Sequence, residues 1–135
     1  MNARAVATAN AFVSLVLGGL ALVLPDAMGR AFGITLDPMG IALARMACAA
    51  YVGFGVLCWL ARDLADQRAM RAVGSACAVA WGLGAVVVVV AINAGLGDAR
   101  VWALVALQVV FALAWSLALA RTPGIASSTA SSRAS

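Results

Sequence analysis

The sequence predicts an all-α integral membrane protein, an antiparallel four-helix bundle with a short interfacial helix in the first outer loop. Three observations predict it. Of the 135 residues, 65% are hydrophobic and 10% charged, against roughly 45–50% apolar and about 25% charged in soluble domains. That balance excludes a water-facing globular domain, and it excludes disorder over most of the chain, which needs low hydrophobicity and high charge. Next, four windows, residues 5–24, 40–60, 73–92 and 101–120, each supply the roughly 20 apolar residues that cross a bilayer. Finally, the arginines alternate between successive connections.

The first span follows Arg4 and closes at Leu24-Pro25-Asp26. It is longer than the apolar core of a signal peptide and lacks a small-x-small cleavage site, so it is expected to be retained. In the loop over residues 25–39, Pro25-Asp26 followed by Ala27, Met28, Phe32 and Ile34 predicts a short amphipathic helix on the outer interface. Proline suits its start and Gly33 its end. The third span contains five consecutive valines at 86–90, a β-former in water. In lipid a lone strand cannot satisfy its backbone, so helix is predicted there too. Short connections make successive helices antiparallel neighbours. Residues 1–121 read as one transmembrane domain, and the Ser-, Ala- and Thr-rich stretch 122–135 as a disordered cytoplasmic tail.

Arg4, Arg62, Arg68, Arg71, Arg121 and Arg133 fall on one side of this layout, and Arg30 and Arg100 on the other. The positive-inside rule then puts both termini in the cytoplasm and the loops 25–39 and 93–100 outside. The arginine- and alanine-rich composition suits a GC-rich bacterial genome, hence the bacterial inner (plasma) membrane. The basic balance reflects these topology-setting arginines, not a nucleic-acid-binding face.

The chain has no His, Glu or Lys. Without His it lacks the commonest general base and metal ligand, and no metal site is predicted. Without Lys there is no Schiff base and no phosphate-loop lysine. Without Glu there is no membrane-embedded glutamate of the kind small multidrug exporters use. An enzyme would have to work with Asp, Arg, Cys and Tyr, so a non-enzymatic role is expected. Cys48, Cys58 and Cys77 lie in apolar runs with no CxxC pair. They read as small buried hydrophobes, not as disulfide staples.

Arg45 is the most informative residue. It sits five positions into the second span, on the outer side, where a charge is costly unless it snorkels or is paired. Three readings stand: a snorkelling or structural arginine that pairs with Asp26, Asp37 or Asp98 and pins the outer loops, an anion or polar-headgroup site facing the bundle interior, or a side chain exposed to lipid. Gln108 lies at similar depth in the fourth span and can share a polar layer with Arg45. Tyr51 is mid-span, and its hydroxyl needs a partner or a wet cavity. Asn10 and Ser14, spaced i, i+4 with Gly18 on the same stripe, and Ser116 read either as small polar residues at helix contacts or as a second, cytoplasmic-side polar layer. Gly74, Ala78 and Gly82, and separately Ala49 and Gly53, form small-residue stripes that suit close helix contacts. Trp59 and Trp102 fall near span ends, whereas Trp81 and Trp115 lie deeper and read mainly as core.

Leu24-Pro25-Asp26, Ala31-Phe32-Gly33-Ile34 in the first loop and Leu43-Ala44-Arg45-Met46 opening the second span accompany the four-span layout. Together they resemble the small bacterial four-helix membrane proteins of the DoxX-like group and its uncharacterised neighbours, over roughly residues 5–120. The resemblance implies a four-helix membrane bundle, with Arg45 matching a recurrent arginine early in the second span. Some members are linked to quinone or sulfur redox chemistry. The expected function is a non-enzymatic partner subunit or a small module that binds a lipid-like ligand. The alternative is a small transporter or redox accessory protein acting on quinone-like molecules. No cofactor is predicted, and a quinone or a lipid is the ligand such a site would admit. The expected partners are the bilayer and a larger membrane complex or a second copy.

Overall fold

The computed structural model describes residues 2–121; the expected tail disorder concerns residues that lie outside these. The chain forms α1 (Ala3–Val23), α2 (Pro25–Ala31), α3 (Pro38–Ala61), α4 (Gln67–Asn93) and α5 (Trp102–Ala120), with a short 3-10 turn (Ala99–Val101) leading into α5. No strand occurs among the described residues, so the five valines are helical. Among the described residues four helical segments are long and apolar enough to cross a membrane: α1, α3, α4 and the Ala99–Ala120 segment.

Each of the four is opened by an Asn or Asp side chain that accepts from a backbone N–H of the first turn, an amide with no partner inside the helix. Asn2 caps α1, Asp37 accepts from Gly40 at 2.6 Å, Asp66 from Arg68 at 2.8 Å and Asp98 from Arg100 at 2.8 Å. The Asp66 cap explains why α4 starts at Gln67 and not at residue 73. Gln67, Arg68 and Arg71 are good helix formers, so the helix continues past its apolar stretch. Pro25 opens α2, where its missing N–H costs nothing. Gly33 follows the end of α2 at φ +71, a left-handed conformation that other residues resist.

Contacts set the register. Along α1 and α3, Arg4 pairs with Asp63, Asn10 with Cys58, Ser14 and Leu15 lie at Gly55, and Gly18 lies at Tyr51 and Val52. Along α4 and α5, Gly74 meets Trp115 and Leu119, and Gly84 meets Gln108. In both pairs one number falls as the other rises, so the paired helices run in opposite directions. In lipid no hydrophobic force drives apolar helices together, and close packing at small residues takes its place. A β-carbon at Gly55 would lie 3.1 Å from the Leu15 backbone nitrogen, and one at Gly74 2.9 Å from Leu119. The faces turned away carry Phe12, Val23, Met46 and Leu60, each at least two-thirds exposed.

One expected stripe is corrected here and another in part: Gly74 and Ala78 do pack against the core, but Gly82 does not continue their stripe. Ala49 and Gly53 are exposed, and a β-carbon at Gly53 or Gly82 would meet nothing. The packing face of α3 runs through Tyr51, Gly55 and Cys58, and two residues along a helix turn the side chain by roughly 200°. Gly53 therefore points away from the face that holds Gly55.

Candidate functional site

The interior is layered. Near the middle, Trp81 of α4 stacks on Phe111 of α5 with ring centroids 4.8 Å apart. Tyr51 and Phe54 of α3 meet its edges at 5.5 and 6.5 Å. Offset and edge contacts of this kind suit the aromatic quadrupole. On one side of this aromatic layer, toward α2, lies a cavity of about 340 Å³. Its walls are Leu17 and Gly18 of α1, Met28 of α2, Phe32, Cys48, Tyr51, Trp81 and Gln108. That size is within the range of small-molecule pockets, which are apolar with a few placed polar groups.

Gln108 supplies the polar feature. Its amide lies against Gly84, the residue whose missing side chain makes room for it, and its Oε1 is buried without a hydrogen-bond partner among the described residues. An orphaned carbonyl oxygen of this kind costs about 1–3 kcal/mol.

On the other side of the aromatic layer the polar groups are joined to each other. Trp81 Nε1–H donates to Asn10 Oδ1 at 2.8 Å, and Asn10 Nδ2–H donates to Cys58 Sγ at 2.8 Å. Cys58 Sγ in turn lies 3.7 Å from Cys77 Sγ. The indole can only donate, which turns the amide oxygen to Trp81 and the amide nitrogen to the sulfur. Asn10, Ser14, Cys58 and Cys77 have no exposed surface. Ser14 lacks a hydrogen bond of normal geometry; Tyr51 is the phenol it faces.

Beyond this network, at the end where α1 begins and α3 ends, a second concavity of about 510 Å³ opens among Arg4, Arg62, Asp63, Gln67 and Arg121. Asp63 is held by Arg4 at 2.9 Å and Arg62 at 3.1 Å, and the Arg62 guanidinium covers the Trp59 ring at 3.3 Å. The opposite end is tied differently. The Asp98 N–H donates to Phe32 O at 3.1 Å, and Asp98 pairs with Arg100. The Arg100 bonds hold the Asp98 carboxyl below its ordinary range, so it is ionised at neutral pH.

The expected site residues therefore separate. Tyr51 and Gln108 share the cavity, but Arg45 does not line it. Arg45 is exposed on α3 and makes no ion pair with Asp26, Asp37 or Asp98. Those carboxylates are engaged: Asp26 by Arg30, Asp37 by the α3 cap and Asp98 by Arg100. Of the three expected readings of Arg45, loop pin and interior anion site do not describe its place; its exposed position is that of the third, a side chain facing lipid. Asn10 and Ser14 do form a buried layer, but Ser116 does not join it. It is exposed, and its hydroxyl donates to Ala112 O one turn back on its own helix. Trp115 is fully buried core, whereas Trp81 serves both core and cavity. The sequence reading missed the Cys58–Cys77 contact; their separation of 19 positions across a turn carries no local signature. Among the described residues no group of three or more Cys or Asp is placed to hold a metal ion. No family model, curated protein or solved structure matches the chain.

Proposed function

We propose that this chain is a non-enzymatic multi-pass protein of a bacterial inner membrane. It is an antiparallel four-helix bundle with both termini cytoplasmic and α2 on the outer interface. It holds a lipid-like molecule in the cavity beside Tyr51, Trp81 and Gln108. The observation that carries this reading is Gln108, an amide in the wall of a largely apolar cavity whose buried Oε1, packed at Gly84, has no hydrogen-bond partner among the described residues. Apolar walls accept a ring or chain, and the oxygen calls for one hydrogen-bond donor. A hydroxyl-bearing apolar molecule such as a quinol meets both demands. The DoxX-like resemblance points the same way through its quinone-linked members.

The test is a titration of the purified protein with a short-chain quinol and with the matching quinone, read by tryptophan quenching. Wild type should bind the quinol. Gln108→Leu should lose roughly 5- to 150-fold in quinol affinity, the equivalent of one satisfied buried acceptor. The quinone has no hydroxyl to donate and should be affected less. Arg45→Ala, outside the cavity, should stay within about twofold, as expected of an exposed residue that touches no ligand. Failure of wild type to bind, or equal losses in the two variants, would overturn the reading.

A second reading, a subunit of a larger membrane complex, is favoured by Arg45. Its charge lies on an exposed face about two turns into α3, where intramembrane arginines are ordinarily paired. A partner carboxylate would supply the missing counter-charge, and Arg45→Ala would then release a protein that co-purifies with wild type.

Orientation is tested separately. Thr35 is exposed between α2 and α3. Thr35→Cys in intact cells should react with an impermeant maleimide, with wild type as the blank. Reaction only after the cells are opened would reverse the topology.

A further inference from the structure

We propose that Cys58 and Cys77 are a redox-active dithiol, which a small neutral peroxide closes to a disulfide bridging α3 and α4. The sulfurs lie 3.7 Å apart on facing helices, and neither side chain is exposed. A disulfide bond is about 2.05 Å long, so the sulfurs need to approach by roughly 1.7 Å, the scale of a side-chain torsion adjustment.

A buried thiol with only apolar neighbours is inert. Cys58 differs because a donor is held against it. The Asn10 amide is locked by Trp81 Nε1–H on its oxygen, which leaves its N–H directed at Cys58 Sγ. Cys58 is thus the acceptor sulfur and the attacking one, and Cys77 is the resolving thiol beside it. Access selects the oxidant. Ala118 belongs to the buried cluster that holds both sulfurs and also lines the arginine-rich concavity. A neutral molecule little larger than water can pass small side chains such as this, whereas a charged oxidant would have to be desolvated.

The reaction balances with hydrogen peroxide as the co-reactant. Cys58 Sγ attacks one peroxide oxygen, the O–O bond breaks, and a sulfenic acid and one water result. Cys77 Sγ then attacks the sulfenic sulfur, the S–O bond breaks, and the second water leaves with the Cys77 proton. Two thiols are oxidised by two electrons and one peroxide is reduced to two waters. The bond ties α3, packed on α1, covalently to α4, packed on α5, at the layer where Asn10 already links them.

The experiment is intact-mass analysis of the purified full-length protein before and after hydrogen peroxide, followed by non-reducing peptide mapping. The expected result is a loss of two hydrogen atoms, a Cys58–Cys77 cross-link, Cys48 still alkylatable, and restoration of the original mass by a permeant reductant. Cys77→Ser should stop at the sulfenic acid, captured on Cys58 by dimedone. Asn10→Ala should slow bond formation by roughly tenfold, the value of one hydrogen bond to the attacking sulfur. An unchanged mass, added oxygen without a cross-link, or a dimer through Cys48 with Cys58 and Cys77 still free would each overturn the proposal. The wild-type measurement decides this even if a variant fails to fold.

Discussion

Gly55→Leu is expected to be among the most damaging single substitutions in the membrane-spanning region. The first added carbon would sit 3.1 Å from the Leu15 backbone nitrogen, 3.1 Å from Ser14 Cβ and 3.0 Å from Leu15 Cγ. Two of these atoms are backbone or backbone-anchored and cannot swing away, so the rest of the leucine has to push α1 off α3. Overpacking of a tight core costs typically 1–3 kcal/mol, and this site should reach about 3. The helix pair depends on this contact more than a soluble pair would, because lipid solvates separated apolar helices as well as it solvates joined ones. Gly53→Leu is the internal control. It adds the same side chain two residues away, where a β-carbon meets nothing, and should change stability by less than about 0.5 kcal/mol. Reversible unfolding in mixed micelles reads both. Equal losses would mean that α3 is packed on its other face, the one that carries Ala49 and Gly53.

Asn10→Ala should be the second large effect. It removes the acceptor of the Trp81 N–H and the donor to Cys58 together, and it leaves a void in a layer with no exposed surface. A buried donor left unsatisfied costs about 1–3 kcal/mol. Interhelical hydrogen bonds in membranes average nearer 0.6 kcal/mol. The void adds to either figure, which brings the expected loss to about 2 kcal/mol. Asn10→Leu fills the space and isolates the polar part of the effect. Combined with Trp81→Phe, which removes the stranded donor, it should cost less than the sum of the two single changes by about 1 kcal/mol. Strict additivity in that cycle would show that the Asn10–Trp81 bond contributes nothing to stability.

The sequence by itself determined the helical class and the four membrane-length segments. These follow from the length and density of apolar runs, and a bilayer leaves a single chain of such runs little choice but helix. It also determined the short helix after Leu24, since Pro25 and Gly33 act through their own backbone geometry. The helix starts were legible in principle, because Asn2, Asp37, Asp66 and Asp98 cap within two or three residues of themselves. Asp66 shows what reading hydropathy alone loses, the six residues by which α4 precedes its apolar window. Tyr51 and Gln108 were legible as polar groups within apolar spans, and the structure puts both in the wall of one cavity. Only the tertiary structure decided which groups face one another. Arg45 and Gln108 share a depth but not a cavity, because depth is set by position along a helix and facing by rotation about it. Four apolar helices also carry weak rotational signals, since lipid accepts the outward face as readily as the core accepts the inward one. Rotation is then settled by where glycine leaves room, for a neighbouring backbone at Gly18 and Gly55 and for the Trp115, Leu119 and Gln108 side chains at Gly74 and Gly84. That choice turns Arg45 and Ser116 outward and brings Cys58 to Cys77, a contact between residues on different helices that no local spacing in the chain encodes.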